Sequence, residues 1–267
     1  MARSYSLAYL TSAPFSAPDC VSLAAKLGYD AVGIRILPAT PGGDVQDLIG
    51  DKAALRETLA RMNGTGVSVF DVEIVRINER FDASAYAPFL ETCAALSARA
   101  ILVGGDDRDE TRLTENYARF CEAAAPYGLT ADLEFMPWSG VRDAQAATRV
   151  ALASGAENAG VLVDTLHSAR SATTLDDIAA IPRHLLHYAQ ACDAPGALPV
   201  SFEELIRTAR VQRLLPGEGD IAIRAVFDQL PADLPVSIEI PSEPVKAEIG
   251  VEDFARRALA ATRAALE

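Results

Sequence analysis

Short runs of aliphatic and β-branched residues alternate along the chain with Ala- and Leu-rich stretches of helical spacing, and turn residues fall between them. The runs SLAYL (6–10), AVGIRIL (31–37), VSVFDVEIV (67–75), AILVGG (100–105), TADLEF (130–135), GVLVDT (160–165), LLHYAQAC (185–192) and PVSIEIP (235–241) predict eight strands. Helical periodicity places helices at 18–27, 52–63, 84–97, 114–127, 143–154 and 253–266. Ser16 stands where the first helix needs an N-cap, and Gly28, Gly66, Gly128 and Gly155 stand where helices need to stop.

Strands that are each followed by a helix imply right-handed crossovers and a parallel sheet. Eight such units in 267 residues allow about 33 residues each, the size of one strand, one helix and two loops. A single (β/α)8 TIM barrel spanning 1–267 is therefore the expected α/β fold. A doubly wound open sheet is the competing architecture, but the first strand-to-helix turn, YLTSAPFSAPD, lacks the GxGxxG turn of its nucleotide-binding form. The pairs Gly42-Gly43 and Gly104-Gly105 read as loop glycines.

Composition narrows the partners. Half the chain is hydrophobic and 24 Lys and Arg face 37 Asp and Glu, for a formal net charge of −13. So acidic a chain is a poor ligand for phosphate backbones or anionic lipid, which leaves a small-molecule substrate and argues against nucleic acid and membrane. No apolar run reaches the roughly 18 to 20 residues of a bilayer span. The N-terminal MARSYSLAYLTSAPF reads as a first strand and not a signal peptide, and Cys20, Cys93, Cys121 and Cys192 lack metal or disulfide spacing. A cytoplasmic location with reduced, buried thiols is expected; a homo-oligomer is compatible with these residues but not decided by them.

In a barrel the C-terminal strand ends converge on one face, so polar residues that close apolar strands form one site despite their separation. The last four strands show the pattern: DLEFMP carries Glu134, VLVDTLH carries Asp164 and His167, HYAQACD carries Gln190 and Asp193, and SIEIP carries Glu239. A carboxylate in an apolar run costs several kcal/mol unless it is paired or binds a cation. Three carboxylates and an amide are oxygen donors, suited to Mn²⁺ or Mg²⁺ more than to Zn²⁺. The competing reading is that these acids pair with Arg35, Arg76 or Arg213.

Taken in order, LEFMPW, VLVDTLH, LHYAQACDAP, RLLPGEGDI and VSIEIP resemble the xylose isomerase-like TIM-barrel superfamily, in its sugar phosphate isomerase/epimerase branch. The resemblance runs from SLAYL through the last helix. It implies a divalent-metal site of Glu134, Asp164, Gln190 and Glu239, with Gln where the family often has His, and His167 of D-x-x-H on a substrate oxygen. Ketose epimerases of the family carry a further Glu six residues after the first ligand and an Arg six residues after the third; here Gly140 and Gly196 stand there. Arg213 is the candidate to supply the absent cation, with its planar fork on a substrate carboxylate or phosphate.

Such a site suits proton abstraction next to a carbonyl, with Glu134 and Glu239 moving the proton. The resulting expectation is a metal-dependent isomerase or epimerase of a small keto-sugar, polyol or hydroxy-keto acid. A dehydratase of inosose or dehydroshikimate type is the alternative, and a non-catalytic barrel stays open. AP endonucleases share the barrel, but three His are too few for their trinuclear zinc site. Trp138 and Glu73 are candidate substrate contacts; Trp138 is equally readable as core, and Glu73 as an ion-pair partner of Arg35 or Arg76. His184 and His187 read as structural, and Glu218 either orients Arg213 or lies in solvent.

Overall fold

The computed structural model describes residues 3–197 and 201–267, so Met1 and Ala2 of the N-terminal segment lie outside the described residues. Eight parallel strands close into a barrel in sequence order: β1 (Tyr5–Leu7), β2 (Ala31–Arg35), β3 (Ser68–Ile77), β4 (Ala100–Gly105), β5 (Thr130–Glu134), β6 (Ala159–Asp164), β7 (Ala189–Ala191) and β8 (Val236–Ile238). Closure is made by β1 on β8, with Tyr5 opposite Val236 and Leu7 opposite Ile238.

The expected strands are all present, and three are shorter for local reasons. Past Leu7 the chain turns helical at Tyr9–Ser12, where the Ser12 hydroxyl donates to the carbonyls of Ala8 and Tyr9. Before β7, Pro182 sets off a single 3-10 turn, Arg183–Leu185, which removes the first half of LLHYAQAC from the sheet. After β8, the Ile240 N–H goes to the Thr11 hydroxyl and not to a strand, and Pro241 has no N–H to offer.

Helices cover the outside. Ser16, Asp51, Asp109 and Asp143 accept backbone N–H groups at the starts of Ala17–Leu27, Lys52–Thr65, Glu110–Ala124 and Ala144–Ser154. Gly28, Gly66, Gly128 and Gly155 take the left-handed conformation, with φ of 83°, 79°, 69° and 67°, as foreseen. Their inner faces and the outer faces of the strands form the main core, with Val32, Ile34, Val69, Val103, Leu133 and Val161 all buried. A second, smaller cluster of Ala31, Phe70, Ile74, Ala100, Leu102, Leu162 and Tyr188 fills the barrel interior. Strands buried on both faces explain why the sequence shows continuous apolar runs and no alternation. All four cysteines are free and buried.

One polar pair is built into the barrel below these residues. His187 Nδ1 lies 2.7 Å from Asp132 Oδ1, and a Cβ on Gly160 would come within 2.2 Å of that oxygen, so glycine is required there. Among the described residues no helix is long and apolar enough to cross a membrane.

Candidate metal and active site

Glu134 and Asp164 end β5 and β6, Gln190 lies in the middle of β7, and Glu239 follows β8, so the barrel brings all four expected ligands to its C-terminal face. All four are buried. The D-x-x-H spacing has a local cause. Asp164 is the N-cap of the short helix Thr165–Arg170, and its Oδ1 accepts the His167 N–H at 2.9 Å. The cap fixes the carboxylate and returns the imidazole over it, leaving His167 Nε2 3.5 Å from Glu134 Oε1. Glu134, Asp164 and His167 each offer a ligand atom within 4.8 Å of the others.

Arg213 changes the picture of the site. Its side chain is only 3% exposed; Nη1 lies 2.6 Å from Asp164 Oδ2 and Nη2 2.9 Å from Glu239 Oε2. Nε donates to the Ala209 carbonyl at 2.9 Å and Nη1 also reaches the Glu239 carbonyl at 3.2 Å. The fork expected to hold a substrate anion is thus committed to two of the four expected ligands. This is a correction with a clear reason: two ionised carboxylates buried side by side need a cation at hand, and guanidinium supplies one at the cost of no solvent exposure.

The electrostatics follow. Burial, then the charges of Glu239 and Asp164, push the Glu134 carboxyl well above its ordinary range. Burial raises Glu239 to about 7 although Arg213 pulls against it. Burial also opposes the charge on Asp164, yet Arg213 and His167 win and hold that carboxyl below its usual value. Burial, reinforced by Arg213, lowers His167 to about 4, so the imidazole is neutral at pH 7. Ligation is expected to depress both glutamates; the protein's own groups do the reverse, leaving a site that gains from a further cation.

The donor set fits a divalent ion on two counts. Glu134 Oε1 and Gln190 Oε1 are buried without a hydrogen-bond partner, a state that costs about 1–3 kcal/mol for each group. Arg213 occupies one oxygen each of Asp164 and Glu239 and leaves the other carboxylate oxygen free of it. Oxygen donors predominate, as a hard cation requires.

Around these residues the cleft is walled by Leu10, Arg35, Glu73, Arg76, Trp138 and Arg210 among others, and is closed down to about 70 Å³. Trp138 meets the His167 ring edge-on at 5.1 Å, with its indole N–H unpartnered. Glu73 is both wall and ion-pair partner, 2.6 Å from Arg35, whose guanidinium lies 4.5 Å over the Tyr9 ring. Glu218 is exposed and accepts from the Leu215 N–H, away from Arg213. Asp193 binds loop backbone: its carboxylate accepts the N–H groups of Ala194, Gly217, Gly219 and Ile221 at 2.8–3.0 Å. Gly140 is forced, since a Cβ there would sit 1.9 Å from the Asp107 carbonyl oxygen; at Gly196 it would meet the Asp220 side chain at 2.9 Å.

Arg210, on the helix Phe202–Val211, reaches the cleft without having been singled out in the sequence. The signal available was its place three residues before Arg213, in the last turn of the helix that leads into the site.

A family model described as xylose isomerase-like TIM barrel matches residues 21–265. No curated protein sequence matches the chain. Among solved structures, a xylose isomerase-like TIM barrel/4-hydroxyphenylpyruvate dioxygenase fusion protein superposes with a TM-score of 0.83 at 19% identity, over 98% of this chain and 42% of that one. The chain therefore spans about two fifths of that fusion protein. IolI protein with a bound zinc atom gives a TM-score of 0.79 at 16% identity over 98% of both chains. D-psicose 3-epimerase from Clostridium cellulolyticum H10, solved with D-tagatose, gives 0.75 at 16% identity over 99% of both.

Proposed function

Since the chain belongs to the xylose isomerase-like TIM barrel family, we propose that it is a divalent-metal-dependent enzyme that removes a proton next to the carbonyl of a small hydroxylated keto compound. The observation that carries this reading is the two buried, orphaned oxygens of Glu134 and Gln190 at the strand ends that also carry Asp164 and Glu239, two carboxylates sharing the single charge of Arg213. Glu134, Asp164, Gln190 and Glu239 would hold the ion, Mn²⁺ or Mg²⁺ by the chemistry of the donors. When bound, it supplies a Lewis acid for the carbonyl oxygen and for the negative charge that develops there.

The chain's own residues do the rest. A glutamate oxygen of Glu134 or Glu239 takes the proton, and the C–H electron pair moves into an enolate. Arg213 keeps Asp164 and Glu239 fixed through the transfer. His167, neutral and packed by Trp138, directs a ring nitrogen to a substrate hydroxyl. Return of the proton to the opposite face epimerises, and return to the neighbouring carbon isomerises. Expulsion of a β-hydroxyl, which departs as water once protonated, eliminates.

Elimination is the second reading, and one observation favours it: position 140 can carry no side chain, so a ketose-epimerase glutamate cannot stand there. Either outcome begins with exchange of the same carbon-bound proton. In D₂O, metal-loaded protein supplied with keto-sugars, inososes and dehydroshikimate is expected to incorporate deuterium, with a UV-absorbing product if water is lost. Glu134→Gln and Glu239→Gln should each slow exchange by about 10²–10⁴-fold, the range for a positioned base. Exchange and metal content both unchanged in the two variants would overturn the reading.

A further inference from the structure

We propose that Arg76 and Arg210 form a clamp for a substrate carboxylate, which restricts the substrate to a hydroxy-keto acid. The inference rests on the deprotonation reading above and assigns the substrate class of that site.

Four arginines line the cleft, and they differ in what already holds them. Arg213 is committed to Asp164 and Glu239. Arg35 is committed to Glu73 and stacked on Tyr9. Arg76 is held loosely, with Nη1 3.3 Å from Asp106 and Nε 3.2 Å from the Ala39 carbonyl, which leaves Nη2 uncommitted. Arg210 has no hydrogen bond or ion pair with any described residue. A free guanidinium on an outer helix face ordinarily points to water alone; this one lines the same cleft as Arg76. The partial burial of its stem and then the charges of Arg76 and Arg35 disfavour its own charge, more than Asp106 offsets, so the cluster gains from an anion.

A Cβ at Gly104, near the end of β4, would lie 2.9 Å from Arg76 Nη1, so the bare strand leaves the guanidinium room to lie across it.

Charge balance sets the valence. With a divalent ion in place, the carboxylates of Glu73, Glu134, Asp164 and Glu239 are matched by the ion together with Arg35 and Arg213. Asp106 is matched by Arg76. Asp106 also acts on Arg210, so the two arginines share one carboxylate and keep one surplus positive charge between them, which calls for a monoanion. A carboxylate meets that requirement and the planar fork of arginine, whereas a phosphate ester brings close to two charges.

The test measures binding, not turnover, by calorimetry on Mn²⁺-loaded protein. The probes are hydroxy acids of four to seven carbons, each with its matched neutral amide and, where one exists, its phosphate ester. At least one acid is expected to bind tenfold or more tightly than its amide. Arg210→Gln and Arg76→Gln should each erase that preference while the amide's affinity stays within about twofold; Arg210→Lys should restore part of it. Melting temperatures of the variants report folding, and the exposed position of Arg210 predicts no change for Arg210→Gln. If no acid is preferred over its amide, if the preference survives Arg210→Gln, or if a phosphate ester binds more tightly than its acid, the clamp is overturned. Deuterium exchange on neutral keto-sugars without any acid preference sinks the clamp alone. An Arg210-dependent acid preference without exchange on any substrate sinks the deprotonation reading alone.

Discussion

Arg213 joins two carboxylates that lie 49 and 26 residues from it in the chain, and its partners exist only once the barrel is closed. Removing it leaves Asp164 and Glu239 as like charges in an interior with no counter-ion, a loss of about 3–5 kcal/mol for breaking a buried pair. Arg213→Gln should therefore lower the stability of the metal-free protein by that order in urea titrations with EDTA, and Mn²⁺ should recover a larger share of it than the same ion adds to the unaltered protein. Arg213→Lys keeps the charge but cannot span both acids, so it should fall between the two. At this scale the sequence is only partly legible. Glu134, Asp164 and Glu239 stand out because a carboxylate inside an apolar run needs a reason, whereas the commitment of Arg213 is invisible until its partners are placed in space. Arg210 is hidden for the opposite cause: on a polar helix surface an arginine is the commonest thing to find.

The elements were more legible than their ends. Doubly buried strands write themselves as apolar runs, and caps such as Ser16 and Gly28 have a single conformational use. Strand ends depend instead on hydrogen bonds made across the barrel, as where Thr11 takes the Ile240 N–H and ends the eighth strand early. The helix Phe202–Val211 is the least secured of the elements at the site: Ala209 is its one buried residue and Phe202 is 67% exposed. A segment with so few buried apolar contacts opens locally at low cost. Its Ala209 and Arg210 also narrow the cleft to about 70 Å³, so a ring-sized ligand enters only as this helix moves. Amide hydrogen exchange across residues 202–211 is expected to be fast in the free protein and to slow at least severalfold with a bound hydroxy acid; unchanged rates would count against the helix as the moving part.

For the whole molecule, Glu239 and the partly buried His187 lower stability as pH rises, and outweigh buried His167, whose lowered pKa acts the other way below about 6.5. Glu239 titrates near 7 when folded, above its unfolded value, so the folded state binds the extra proton and loses stability as pH rises from about 4.3 through 7. Burial opposes the charge on His187, but Asp132 outweighs it and raises the imidazole; that contribution is complete below about 6.5 and is lost as pH rises through the folded value. Metal-free protein should accordingly melt at a lower temperature at pH 8 than at pH 5.5. A divalent ion replaces the proton on Glu239 but leaves His187 untouched, so Mn²⁺ should flatten the slope without removing it, and His187→Gln should remove the remainder. A melting temperature that rises from pH 5.5 to 8 without metal would contradict both assignments.

Asp193 ties the residue just past the seventh strand to the turn at 217–221, and Asp193 and Leu214 also exchange backbone hydrogen bonds. The chain leaves the barrel at Asp193 and is back at the same point by Leu214, like a handle fixed by both ends to one bracket. Gln190 lies just before the bracket and Arg213 just before its far side, so the frame anchors both, and the handle adds only the Ala209 carbonyl that accepts from Arg213 Nε. The excursion is therefore an exchangeable part. Mutation and selection can recharge the helix surface at residues 202–208, and with it the approach to the cleft, while Gln190 and Arg213 stay in register.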